Sequence, residues 1–368
     1  MTEQTANVEV VYRWDLDKTY LQTDFSTARG LLRAALERPQ SKRPVPGMRA
    51  LMTALSRRSA ARIIVVSGSP TQLRGRIEAM FRIHGVRCDR LVLKDFAARL
   101  ARGRLRSIKA QVPYKLLAHL ETRRWLNERG DGASEICFGD DAEVDALIYC
   151  LYADVVSRRV DATRLRKLLA LCGAYDDERD AILAALAYLP REEVVSRIFI
   201  HLDARSPPSR YDAYAPRVVP TFNALQIAAS LFSDGLCGAT EVRLVAEDLV
   251  SAWRVDGTGL AGSLEDTVRR GIVSKAAAET LAREVLPVGL MARAGFDAAL
   301  ADRMLTRLGS GRLASAGRVA TTLSEGESLP YEQLVQDERA FAVARKLARA
   351  TASRVLGLRE FLELDRRG

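Results

Sequence analysis

The first 150 residues alternate short apolar runs with stretches whose apolar residues recur every three or four positions. Val8–Tyr12 is apolar except at Glu9 and reads as a strand. Phe25–Glu37 sets Leu31, Leu32 and Leu36 at helical spacing, and Gly47–Arg58 does the same with Met48, Leu51, Met52 and Leu55. Ile63–Val66 is a fully β-branched run that stops at Ser67-Gly68-Ser69-Pro70, the pattern of a buried parallel strand and a turn. Thr71–His84 reads as helix, Arg90–Leu93 as strand and Val112–Glu128 as a long helix. Glu135–Phe138 is a strand that ends at Gly139-Asp140-Asp141. This alternation predicts an α/β fold with a mostly parallel sheet. Such sheets bind ligands beyond the carboxyl ends of their strands. Asp15–Thr19, Ser67–Pro70 and Gly139–Asp145 each follow a predicted strand, so they converge on one crevice.

Beyond residue 155 or so the pattern becomes helix after helix. Ala162–Leu171, Asp177–Leu189, Arg191–Ile198, Pro220–Leu231, Glu241–Ala252, Ser274–Val285, Phe296–Leu308 and Glu332–Leu362 all read as helical. Only Arg197–Leu202 has an extended alternative, Pro207–Pro220 reads as a loop, and Gly257–Gly262 reads as a turn. The expected organisation is therefore an α/β domain over residues 1–158 and an all-helical domain over 159–368. About 47 residues separate Thr19 from Ser67, and two helices account for them, so any cap over the crevice is minimal.

The crevice segments carry a consistent chemistry. Phosphoryl transfer through a covalent intermediate needs a carboxylate nucleophile, an acid for the leaving oxygen, a screening cation and donors for the phosphoryl oxygens. Asp15 is the candidate nucleophile and Asp17 the candidate acid, with Thr19 holding the turn. Ser67 and Gly68 are candidate phosphoryl-oxygen donors. Asp140, Asp141 and Asp145 cluster after a buried strand, where unpaired acids repel unless a cation neutralises them. Asp15, the Asp17 carbonyl and Asp140 are the expected ligands of Mg2+. Asp141 and Asp145 are expected to orient bound water or a lysine. Lys115 opens the helix before the Asp140 strand and is the leading candidate for that lysine; Lys94 and Lys109 are rivals.

This order of motifs resembles the haloacid dehalogenase (HAD) superfamily: Asp15-Leu16-Asp17-Lys18-Thr19, then a strand-terminal Ser67, a lysine, and Gly139-Asp140-Asp141 with Asp145. Within it, Val66–Leu73 and Asp145-Ala146-Leu147-Ile148-Tyr149 resemble the phosphatidate phosphatase App1 catalytic-domain family, as does Leu91–Asp95. The resemblance covers residues 8–155. It implies a HAD-like Rossmannoid fold and a phosphoric monoester hydrolase that uses Mg2+ and an aspartyl-phosphate intermediate. It also implies a phospholipid substrate such as phosphatidate. Lys18 stands where that family commonly has an acid, and Asp141 where it commonly has serine. These departures leave the nucleophile and metal ligands in place but leave the lipid substrate open.

Charge adds a preference for anionic partners. The net charge is +10, and residues 87–129 hold twelve basic against four acidic side chains. A basic strip beside the crevice can steer an anionic substrate or dock on an acidic membrane surface. Neither an aromatic platform nor a helix-turn-helix pattern accompanies it, so nucleic acid is the weaker partner. Five cysteines with no CxxC spacing argue against a disulfide framework or zinc knuckle and fit a reducing cytoplasm. No signal peptide or membrane-spanning run is visible, so a cytoplasmic protein, peripheral to membrane at most, is expected. Two alternatives stay open: an idle HAD-like scaffold that binds acidic lipid, and a nucleic-acid end phosphatase. His84, His119 and His201 are scattered and read as surface or helix residues.

Overall fold

A computed structural model describes residues 8–22, 43–95, 111–286, 299 and 328–347. The expected helices Phe25–Glu37 and Phe296–Leu308, and Lys109, lie outside those residues, apart from Ala299. Six parallel strands form one sheet in the order β3-β2-β1-β4-β5-β6. They are β1 (Val10–Trp14), β2 (Ala61–Pro70), β3 (Arg90–Lys94), β4 (Ser134–Asp140), β5 (Val195–His201) and β6 (Val218–Thr221). Helices α1 (Met48–Ser56), α2 (Arg74–His84) and α3 (Gln111–Glu128) lie between the first four strands, and α4 (Asp145–Val156) follows β4. The order reverses between β1 and β4, the switch point where a doubly wound sheet opens a crevice. Asp15 follows β1 there and Asp140 ends β4.

The all-helical reading of the second half is corrected. After α5 (Ala162–Leu171) and α6 (Asp176–Ala187), the chain returns to the sheet as β5 and β6, so the sheet continues past residue 158. Arg191–Ile198 is not a helix: Arg197-Ile198-Phe199-Ile200-His201 is buried along its length and pairs with β4. A run buried on both faces has no helical stripe to hold it in a helix. Pro220 lies in β6, which is an edge of the sheet, where a missing N–H is tolerated. Helices α7 (Ala224–Ser233), α8 (Ala239–Ser251), α9 (Gly257–Arg269) and α10 (Lys275–Thr280) follow. Gly257–Gly262 is thus helix rather than turn, started by the Asp256 carboxylate accepting the Gly259 N–H at 2.8 Å.

The later helices cover one face of the sheet. Tyr12, Trp14, Ile63, Val65, Phe138 and Phe199 share a buried cluster with Leu51 and Met52 of α1 and with Leu225, Val245, Leu249 and Leu260 from α7 to α9. Trp14 stacks on Phe138 at 4.0 Å, and Phe138 on Phe199 at 5.6 Å. Each such ring contributes about 1.5–3 kcal/mol by burial. The opposite face packs Val11, Ile64 and Val66 against Ala118 and Leu126 of α3. The described residues up to Leu329 belong to one compact unit, and residues 331–347 form a helix in a second.

Candidate active site

β1 delivers Asp15 to the crevice because its backbone N–H donates to the Phe138 carbonyl at 2.9 Å, extending the β1–β4 ladder by one residue. The carboxylate is buried, 1% exposed. Its Oδ1 accepts from Lys115 Nζ at 2.7 Å, whereas its Oδ2 is buried with no hydrogen-bond partner. Lys18 then adopts a left-handed backbone, φ 63°, and Tyr20 and Leu21 donate back to the Leu16 carbonyl. This tight loop leaves Asp17 and Thr19 buried in the crevice. Thr19 Oγ1 donates to Asp140 Oδ2 at 3.4 Å, tying the loop to the end of β4.

β2 supplies the next wall. Its pairing with β3 is irregular between Ser67 and Pro70. Ser67 and Ser69 both donate to Asp17 Oδ2, at 3.1 and 2.9 Å. The Ser69 N–H donates to Ser67 Oγ at 3.0 Å, and Tyr114 Oη to the Ser67 carbonyl at 2.9 Å. A Cβ on Gly68 would stand 3.1 Å from the Gln111 amide, so the glycine lets α3 approach. Ser69 was not among the expected site residues.

The end of β4 closes the site. Asp140 Oδ1 accepts the N–H groups of Ala142 (2.5 Å) and Glu143 (3.0 Å), which folds the chain into a turn before α4. Asp145 Oδ2 accepts the Asp140 N–H at 3.2 Å, and its Oδ1 accepts from Lys115 at 2.6 Å. Gly139 is required here, since a Cβ would lie 2.5 Å from that of Asp145. Glu143, which the motif reading passed over, also accepts from Lys115, at 3.0 Å. Lys94, the rival, is buried with Nζ 5.3 Å from the centre of the Tyr114 ring. Asp141 is turned elsewhere. It accepts the N–H groups of Ala204 and Ser206 at 2.6 and 2.8 Å, and its carbonyl accepts from Arg210. It therefore fastens the loop after β5 to the rim of the crevice.

Burial pushes the Asp15 carboxyl well above the usual carboxylate range; Lys115 opposes this, and Asp145, Glu143 and Asp140 add to it. Burial also drives Asp140 well up, helped by Asp145 and Glu143. Burial alone would lower Lys115, but Asp145, Asp15 and Glu143 outweigh it and hold the ammonium charged. One ammonium thus faces four carboxylates. Asp15, Glu143 and Asp145 present oxygens within 4.8 Å of one another, a spacing that could hold a metal ion. The excess negative charge and the unpartnered Asp15 Oδ2 fit a cation.

His84 and His119 lie in helices as read, whereas His201 belongs to a strand. His119 is buried against the Tyr149 and Tyr152 rings with neither ring nitrogen hydrogen-bonded, and His201 ends β5 with 8% exposure. The five cysteines are free thiols. No helix among the described residues is long and apolar enough to cross a membrane.

Residues 14–167 match a family model described as phosphatidate phosphatase APP1, catalytic domain. That span runs from the last residue of β1 through β4, holds Asp15, Asp17, Thr19, Ser67, Ser69, Lys115, Asp140, Glu143 and Asp145, and ends within α5. No curated protein and no solved structure matches the chain.

Proposed function

We propose that this chain is a Mg2+-dependent phosphatase of the HAD type that cleaves a phosphomonoester through an aspartyl-phosphate at Asp15. The observation that carries the reading is the state of the Asp15 carboxylate, with one oxygen on Lys115 and the other buried and unpartnered at the carboxyl end of β1. The family match makes phosphatidate the first substrate to test.

In this reading an Asp15 oxygen attacks phosphorus and the ester P–O bond breaks. Asp17, held by the Ser67 and Ser69 hydroxyls, gives its proton to the departing alkoxide. It then takes a proton from the water that attacks the acyl phosphate, which releases orthophosphate and restores both aspartates. Lys115 anchors Asp15 and offers its charge to the phosphoryl oxygens, and the Ser67 hydroxyl and Gly68 backbone line the same side. Asp15, the Asp17 backbone carbonyl and Asp140 would hold the cation, since Glu143 and Asp145, whose oxygens also lie near Asp15, are engaged by Lys115. When bound, it neutralises charge on the phosphoryl oxygens and the crowded carboxylates.

The test is a panel of phosphatidate in mixed micelles, a soluble aryl phosphate and a 3′-phosphorylated oligonucleotide. Hydrolysis is expected to need Mg2+ and to fall by roughly 10³-fold or more in Asp15→Asn. Activity that persists in that variant overturns the nucleophile. No turnover on any ester, with tight binding to acidic liposomes, replaces the enzyme by a scaffold. Preference for the oligonucleotide replaces the lipid by a nucleic-acid end.

A further inference from the structure

We infer that Glu143 is a displaceable carboxylate that competes with the incoming phosphoryl group for Lys115 and so sets how tightly the site holds phosphate. The inference rests on Lys115 being the phosphoryl-binding cation of the proposed function. An ammonium has three N–H donors. Lys115 directs all three at carboxylates: Asp145 at 2.6 Å, Asp15 at 2.7 Å and Glu143 at 3.0 Å. A phosphoryl oxygen can gain a donor only where one of the three lets go.

Two of them cannot move readily. The Asp15 and Asp145 side chains are 1% and 0% exposed. Asp145 is further fixed by the Asp140 N–H and by its contact with Gly139. Glu143 makes the longest of the three bonds, and its side chain is 25% exposed, with water to move into. Its remaining carboxylate oxygen accepts only a long bond, from Gln111 Nε2 at 3.3 Å. Its backbone is held by Asp140, so release needs only side-chain rotation. A phosphate dianion brings like charge against this carboxylate, which favours its departure. The free energy of that departure is subtracted from phosphate binding.

The test is orthophosphate binding to the full chain with Mg2+, by calorimetry, in wild type, Glu143→Gln and Glu143→Ala. Both variants are expected to bind orthophosphate about tenfold tighter, since each removes a like charge at contact distance in a partly exposed site. On an active preparation, the inhibition constant for orthophosphate and the KM for the ester should fall together. Unchanged or weaker binding in both variants overturns the inference. Weaker orthophosphate binding together with a raised Mg2+ dissociation constant also overturns it and makes Glu143 a cation ligand. Because the titration needs no turnover, a chain that hydrolyses nothing still answers it. Conversely, a chain that hydrolyses esters while both variants bind phosphate no more tightly fails this inference alone.

Discussion

Ser69 lies two positions beyond Ser67 on an extended strand, and the period of such a strand turns both hydroxyls to one side. Both meet Asp17 Oδ2. If Asp17 is the acid, Ser69 matters in proportion to how much the leaving oxygen needs a proton. Ser69→Ala is therefore expected to slow alkyl phosphates by roughly tenfold, a fraction of the full effect of general acid catalysis. An aryl phosphate with a good leaving group should be slowed much less. The measurement is kcat/KM across a leaving-group series, and an equal loss along the whole series would reduce Ser69 to a packing role. Asp15, Asp17 and Asp140 were legible in the sequence because their spacing survives translation into any strand-turn geometry. Glu143 was not, since it reaches Lys115 only through the turn that the Asp140 carboxylate makes with the N–H groups of Ala142 and Glu143. Asp141 misled for the same reason: its partners are 63 and 65 residues away.

Between β1 and β4 lies a charged element that strand periodicity hid. The strand was expected to stop at Tyr12, before a polar residue, but Arg13 continues it, wholly buried. Arg13 Nε and Nη2 donate to the two oxygens of Glu135 at 2.6 and 2.8 Å, Nη1 donates to Thr122 Oγ1, and Nη2 also reaches Tyr152 Oη. Arg123 adds a bond to Glu135 at 3.3 Å. Burial alone would raise the Glu135 carboxyl, but Arg13 and Arg123 overcome it and hold it below its ordinary value. A group depressed in the folded state stabilises the fold above its unfolded pKa of about 4.3 and loses that contribution as pH falls through the folded value. The buried site carboxylates Asp15 and Asp140 are shifted upward and carry the opposite sign. The comparison of wild type with Glu135→Gln separates the two. The variant leaves Arg13 without its counter-charge and should cost about 3–5 kcal/mol at neutral pH. Thermal melts should show that deficit intact above pH 5 and shrinking below pH 4; a deficit independent of pH would remove the ion pair as its cause.

At the scale of the whole molecule, the catalytic segments and the sheet that presents them do not share a boundary. The family match ends at residue 167, yet β5 and β6 extend the same sheet to residue 221. The first half was legible because β-branched runs and helical stripes alternate cleanly there. The second half was not, because β5 carries apolar residues at spacings that also suit a helix, and β6 is short, on an edge and interrupted by Pro220. What these elements cover decides the folding unit. Without them β4 becomes an open edge, and the face bearing Tyr12, Trp14 and Phe138 loses Phe199 and the side chains of α7 to α9. An apolar sheet face and an unpaired edge exposed together promote association rather than folding. Residues 1–158 alone, although they hold every proposed catalytic side chain, are therefore expected to give no cooperative thermal transition and to bind a hydrophobic dye. The full chain should melt cooperatively and exclude the dye. A fragment 1–158 that melts cooperatively and hydrolyses an aryl phosphate with Mg2+ would make the first four strands a domain by themselves and reduce the later strands and helices to an appendage.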